Sequence, residues 1–345
     1  MSSQSRKWVK GLSSTMSVAN AATLVFRRRM REVRGLLPEA ATSGDRHAIH
    51  QLRVATRRMS AALLIFRDWT DPKQRRRTNH VLREIRRAAG DAREADVHGM
   101  EFARWIRECD ADVAAGAGYL LGRLEQVRTD AQQQVQHVAR EISGDVLKRR
   151  CRRLIASVEA PGKRHRRTAL QDLAERRLPK LARAVEDAGR RDLSDIHNVH
   201  AMRISGKRLR YGVEILACCF DPDEHAALYA RITAFQDRLG GINDISELRA
   251  HVATTRAGVR VGGQISLQCL DAVTAMLDDR LHAEHAAFVD WWQDVGIDGL
   301  IGDVSNGTAQ LLGREATGLG LETALNEAIA AAERNAGDTS WSMGK

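Results

Sequence analysis

The sequence predicts an all-α fold built from two repeated antiparallel helical bundles related by pseudo-two-fold symmetry. Three observations carry this expectation. Only five prolines occur in 345 residues, and Ala, Leu and Arg, which lead the helix-propensity scale, dominate the composition. No run of alternating β-branched residues argues for a sheet, and aromatic residues make up only 4%. Finally, a ten-residue segment beginning at His50 returns at His200, so the helical unit is duplicated at an offset of 150 residues.

Helical periodicity runs from about Ser14 to Trp292. Helix-break signals fall at Leu37-Pro38, Thr70-Asp71-Pro72, Gly90, Gly116 to Gly118, Ser143-Gly144, Pro161-Gly162, Gly189, Asp221-Pro222, Gly240-Gly241 and Gly262-Gly263. Pro161-Gly162 divides the region into a first repeat over 14–160 and a second over 164–292. The duplicated segments are His50-Gln51-Leu52-Arg53-Val54-Ala55-Thr56-Arg57-Arg58-Met59 and His200-Ala201-Met202-Arg203-Ile204-Ser205-Gly206-Lys207-Arg208-Leu209. At the same offset Gly90-Asp91-Ala92-Arg93-Glu94 matches Gly240-Gly241-Ile242-Asn243-Asp244. Beyond Trp292 the chain turns Gly-rich and acidic, and residues 293–345 are expected to form a partly disordered appendage.

Charge follows the same division. The net charge is +10, but Asp278 to Lys345 carries 12 acidic and 4 Lys/Arg residues, which leaves a net +18 on the preceding residues. Such an excess is self-repelling and points to an anionic partner. The five cysteines contain no C-x-x-C pair, as expected of buried thiols in a reduced cytoplasm. No stretch approaches the ~20 apolar residues of a bilayer span, so no membrane partner is expected.

The chemistry resides in the duplicated segments. With His50 at 0° on a helical wheel, Arg53, Arg57 and Arg58 lie at about −60°, −20° and +80°, while Leu52, Met59, Ala62, Leu63 and Phe66 occupy the opposite side. His200, Arg203 and Lys207 repeat the stripe, Tyr211 and Glu214 share its arc, and Arg208 and Arg210 flank it. Like charges three or four residues apart destabilise a helix by a few tenths of a kcal/mol per pair. No Asp or Glu interrupts the first stripe, and an anion lying along it would relieve the repulsion. Arg27, Arg31 and Arg34 form a further row, as do Arg176, Lys180 and Arg183. A dense basic stretch runs from Lys148 to Arg167. Any one of these rows reads first as a solvated face. Arg93/Glu94 and Asn243/Asp244, following helix-breaking glycines, read as caps and internal ion pairs. For His50 and His200, phosphate donors and structural histidines remain equal readings.

The segments His50-x-x-Arg53-Val54-x-x-Arg57-Arg58 and His200-x-x-Arg203-Ile204-x-x-Lys207-Arg208-x-Arg210-Tyr211-x-x-Glu214 resemble the two signature helices of the CHAD domain, the conserved histidine α-helical domain. The stretches around Gly90-Asp91-Ala92-Arg93-Glu94-Ala95-Asp96 and Leu239-Gly240-Gly241-Ile242-Asn243-Asp244 resemble its two glycine-containing junctions. The likeness covers roughly residues 14–292. Glu94 departs from the usual Asp, and Gly206 interrupts the second motif. The resemblance implies non-catalytic binding of inorganic polyphosphate along a basic central channel, with some members associated with polyphosphate granules. It implies primary contacts from His50, Arg53, Arg57, Arg58, His200, Arg203, Lys207, Arg208 and Arg210. Secondary contacts are expected from Arg27, Arg31, Lys180 and Arg183, with no cofactor and no metal.

Two rival classes have weaker support. A metal-dependent phosphohydrolase would need ligands such as those in His282-Ala283-Glu284-His285, but Glu284 and His285 are adjacent and cannot share a helix face. A nucleic-acid-binding protein would suit the charge, and weak, non-specific nucleic-acid binding is expected of any polyanion binder. The stripes nevertheless lack the aromatic platforms that single strands stack upon. A scaffold using the acidic tail is compatible with polyanion binding.

Overall fold

The computed structural model describes residues 8–159, 168–259 and 267–306. Among the described residues there is no strand, and the chain folds as helices α1 (Val18–Ser43), α2 (Arg46–Ile65), α3 (Pro72–Glu108), α4 (Ala111–Glu141), α5 (Gly144–Glu159), α6 (Leu170–Gly189), α7 (Ile196–Ile215), α8 (Pro222–Ala257) and α9 (Leu267–Asn306). The all-α expectation holds.

Helix starts are set by acidic caps, and the caps repeat. Asp45 accepts from the Ala48 amide at 2.9 Å and opens α2, and Asp195 accepts from the His197 amide at 2.9 Å and opens α7. Asp71-Pro72 and Asp221-Pro222 open α3 and α8 in the same way, with Asp71 bound to the Gln74 amide and Asp221 to that of Asp223. The boundaries of α2 and α7, and of the 3₁₀ turns Arg67–Trp69 and Ala217–Cys219 that follow them, differ by the same 150 residues as the sequence motifs.

Several expected breaks are absent. Helix α1 continues through Pro38, and donors outside the backbone satisfy its terminal carbonyls. Gln132 Nε2 donates to the carbonyls of Ala40 and Ala41 at 3.0 Å, Arg128 Nη2 donates to that of Gly44 at 2.6 Å, and Gly44 sits at φ +61°. Gly90, Gly116 to Gly118 and Gly240-Gly241 all lie inside continuous helices, so they are not junctions, and Arg93/Glu94 and Asn243/Asp244 are not caps. At Gly90 and Gly116 the glycine serves close packing instead. A Cβ on Gly116 would stand 2.6 Å from the Cys269 carbonyl oxygen. The breaks at Thr70-Asp71-Pro72, Ser143-Gly144, Gly189 and Asp221-Pro222 coincide with helix ends. Those at Pro161-Gly162 and Gly262-Gly263 lie outside the described residues. Helix α9 runs past Trp292 to Asn306, so the helical region exceeds the expected limit, and the remainder of the expected tail lies outside the described residues.

Two compact units emerge, each discontinuous in sequence. Of the described residues, one comprises 26–157 with 240–259 and 267–288, and the other comprises 8–25, 158–159, 168–239 and 289–306. The first unit holds the α2 motif and the second the α7 motif. In the first unit Phe102, Trp105, Leu120, Leu124, Val252, Leu270, Val273 and Leu277 form a buried core, and Phe26 meets Phe66 edge-on at 5.7 Å. In the second, Leu173, Leu178, Val185, Val199, Met202 and Leu209 are buried where α6 packs on α7.

Gly206, which weakens α7 on propensity alone, has a packing reason. A Cβ there would collide with Gln236 Nε2 and Phe235 Cε1. Replacing Gly206 by Ala gains up to ~1 kcal/mol of helix propensity but overpacks the contact at a cost of about 1–3 kcal/mol. Gly206→Ala is therefore expected to destabilise the protein, measured as a lower urea midpoint at unchanged m-value.

Candidate anion-binding site

In the first unit the α2 stripe meets α3. His50, Arg53, Arg57 and Arg58 are half-buried, while Leu52, Met59, Ala62, Leu63 and Phe66 are buried on the other face, as the wheel requires. Arg53 Nη1 donates to the Arg86 carbonyl at 3.3 Å, and it lies 2.8 Å from where a Cβ on Gly90 would stand. Gly90 is thus the slot that admits the guanidinium.

The electrostatics of this cluster are unbalanced towards positive charge. Burial, then Arg93, Arg57, His47 and Arg53, pull the His50 imidazole down to about 4, so it is neutral at pH 7. Burial and the neighbouring Arg57 lower Arg53 to about 10, with Arg86 and Arg93 adding to the effect and Glu247 opposing it. Burial raises the Glu94 carboxyl, and Glu247 and Asp91 raise it further against the pull of Arg53. Glu94 and Glu247 therefore border the cluster as its acidic edge. Among the described residues Arg27, Arg31 and Arg57 form no ion pair with a carboxylate, and on α1 the acid nearest in sequence, Glu32, is occupied by Arg28 and Arg29. Arg27 and Arg31 are exposed.

The second unit carries its own stripe, with a different balance. His200 and Arg208 are exposed, and Arg203, Lys207 and Arg210 are half-buried on α7. Arg210 is committed inward. Its guanidinium lies 5.3 Å over the Tyr211 ring. Burial opposes its charge, but Tyr211, Glu214 and Tyr229 outweigh burial and hold it above its ordinary value. Glu214 is buried and accepts a 2.9 Å hydrogen bond from the Tyr229 hydroxyl, so the acid on the stripe's arc belongs to an internal network. Lys180 and Arg183 are exposed on α6.

The structure thus gathers His50, Arg53 and Arg57 with two arginines that the sequence reading did not count as site residues, Arg86 and Arg93. Their signal was present: both flank Gly90 on α3, but a glycine taken for a helix break hid their common face. Among the described residues no three His, Cys, Asp or Glu side chains converge in a metal-binding arrangement. No helix among them is long and apolar enough to cross a membrane.

The fold and these faces define a class: an all-helical domain with two copies of a cation-striped helix, each backed by an apolar core. The CHAD domain family matches residues 25–253, and the chain belongs to that family. Among solved structures, the CHAD domain from the plant Ricinus communis is similar with a TM-score of 0.60 at 15% identity, covering 87% of this chain and 96% of that one. PptA from Streptomyces chartreusis is similar with a TM-score of 0.61 at 19% identity, covering 80% of this chain and 99% of that one. Among curated proteins none matches.

The depressed imidazole has a measurable consequence. His50 titrates near 4 in the folded protein and near its ordinary 6.5 when unfolded. The unfolded chain therefore takes up this proton first as pH falls, and stability is lost between pH 6.5 and 4. Buried His98 and His225, each also lowered to about 4 chiefly by burial, act with the same sign. His50→Gln is expected to reduce proton uptake on unfolding in that window by up to about one, read from the slope of unfolding free energy against pH.

Proposed function

We propose that this protein binds inorganic polyphosphate without catalysing a reaction on it, each stripe acting as a track for a run of phosphates, and that it associates with polyphosphate granules. The observation that carries the reading is the gathering of Arg53, Arg57 and Arg93 about His50, with Arg86 beside Arg53, where burial first and these cations second keep the imidazole neutral. A cluster whose cations exceed the carboxylates at its edge, Glu94 and Glu247, is relieved when an anion supplies further negative charge. Successive turns lie ~5.4 Å apart, so the anion that fits best is a linear one with closely spaced charges. Guanidinium groups bind phosphate oxygens bidentately, and neutral His50 can donate a hydrogen bond to them.

Phosphates without bases fit better than nucleic acid. The aromatic residue on the second stripe's arc, Tyr211, is buried and taken up by Arg210, so it offers no platform for stacking. Membership of the CHAD family agrees with this reading, because the family resemblance implies polyphosphate as ligand.

Arg57→Ala combined with Lys207→Ala is expected to weaken polyphosphate binding about tenfold or more, since each lost charge-assisted contact is worth about 1.5–3 kcal/mol. The dependence of log affinity on log salt should flatten by about 1.5, with helicity unchanged by circular dichroism. Unchanged affinity in calorimetric titration would refute the assignment. Saturating polyphosphate is also expected to move the His50 titration upward from about 4, observed by NMR of the imidazole. In competition at matched phosphate concentration, polyphosphate should displace single-stranded DNA; the reverse order would favour a nucleic-acid function.

A further inference from the structure

One strongly charged face remains outside both stripes. On the first half of α3, Lys73, Arg76, His80, Arg83 and Arg87 are all exposed. They recur at i, i+3, i+7, i+10 and i+14, so they share one face of the helix and span about 21 Å along it. Each neighbouring pair is a like-charged or histidine-containing pair at three or four residues' spacing, which disfavours the helix unless something anionic intervenes. Between Pro72 and Gly90 the sole acid is Glu84, and it pairs with His80 at 3.5 Å. Among the described residues Lys73, Arg76, Arg83 and Arg87 form no ion pair with a carboxylate.

This face adjoins the α2 cluster. Arg53 from α2 bonds to the carbonyl of Arg86, the residue before Arg87 in the chain, and fills the slot at Gly90 one turn beyond it. Arg77 extends the cationic surface towards α5, where it and Arg153 act on Arg150. The row ends at Asp91 and Glu94, which border it on the C-terminal side. It is also absent from the other copy. The positions 150 residues on are Asp223, Ala226, Ala230, Thr233 and Asp237, which carry no cation.

We infer that the α3 face of Lys73, Arg76, Arg83 and Arg87 is a second phosphate track, continuous with the α2 cluster, that carries a long polyphosphate chain onward over the first unit. This rests on the polyphosphate reading of the stripes. The track gives the protein a preference for long chains, because a short chain is satisfied by a stripe alone. Its presence on one copy only makes the two stripes unequal: the chain gains this extra length of contact beyond α2 and not beyond α7.

The test uses the full chain, with tripolyphosphate and long-chain polyphosphate titrated separately at two salt concentrations. In Lys73→Ala/Arg76→Ala/Arg83→Ala/Arg87→Ala, long-chain affinity is expected to fall about tenfold and its salt slope to flatten by about two to three. Tripolyphosphate affinity should be unchanged. These side chains are exposed and Ala favours helix, so circular dichroism should be unaltered. The charge-retaining Arg76→Lys/Arg83→Lys/Arg87→Lys variant should keep long-chain affinity within about twofold. Unchanged long-chain affinity in the alanine variant, while Arg57→Ala/Lys207→Ala still weakens both ligands, overturns the track and leaves the stripes standing. An equal loss for both ligands assigns these cations to the α2 site itself and also overturns a separate track. Loss of single-stranded DNA binding alone identifies a nucleic-acid face and does the same. If the Arg57/Lys207 variant binds both ligands as well as wild type, the reading beneath the track falls with it.

Discussion

The placement of Arg53 governs the chemistry of the first unit. Its guanidinium is pressed into the gap over Gly90, close enough that a methyl group there would collide with it, and it spends one donor on the Arg86 carbonyl. Burial at this point works against its charge, and Arg57, Arg86 and Arg93 work against it too. A lysine or arginine in such surroundings is stable only while the helices hold it there or while a counter-charge arrives. Core packing does the first. The apolar back of α2, with Leu52, Met59 and Phe66 fully covered, fixes the helix so that its cations cannot rotate away from one another. The repulsion is then a property of the fold that ligand binding can lower.

The two copies solve the same close approach between paired helices differently. In the first, the glycine is on α3 and the intruding side chain, Arg53, comes from α2. In the second, the glycine is on α7, and the intruders Gln236 and Phe235 come from α8, with Gln236 Nε2 reaching the Arg203 carbonyl at 3.5 Å. At the equivalent positions Arg86 becomes Gln236 and Arg93 becomes Asn243. Each exchange removes a cation, and the second copy adds a buried carboxylate, Glu214, that draws Arg210 inward. Duplication has therefore kept the helix pair and its caps while letting the charge of the two faces diverge.

This divergence explains what the sequence could and could not convey. Caps such as Asp45, Asp71, Asp195 and Asp221 act within one turn, so Asp71-Pro72 and Asp221-Pro222 announce their helices in one dimension. The stripes were legible for the same reason, because a helical wheel needs only local periodicity. Gly90 and Gly116 carry break signals in the sequence, yet their role is set by what lies opposite, in a helix distant along the chain. A glycine in a helix costs propensity wherever it occurs, and nothing local separates a break from a slot. Pro38 misled similarly, since the donors that carry α1 past it, Gln132 and Arg128, lie about ninety residues away.

The commitment of Arg210 shows why a cationic residue on a site's arc is not thereby a ligand contact. On the wheel, Arg210 and Lys207 are near neighbours, and Glu214 shares their side. In three dimensions the core of the second unit covers Glu214, where an ionised carboxylate is costly unless it is hydrogen-bonded or paired. Tyr229 supplies the hydrogen bond and Arg210 the charge. To turn Arg210 to an external phosphate would withdraw its charge from the field of Tyr211, Glu214 and Tyr229, so part of the advantage of the new contact is offset. The recruitment of a cation thus depends less on its position along the stripe than on whether a buried acid already holds it.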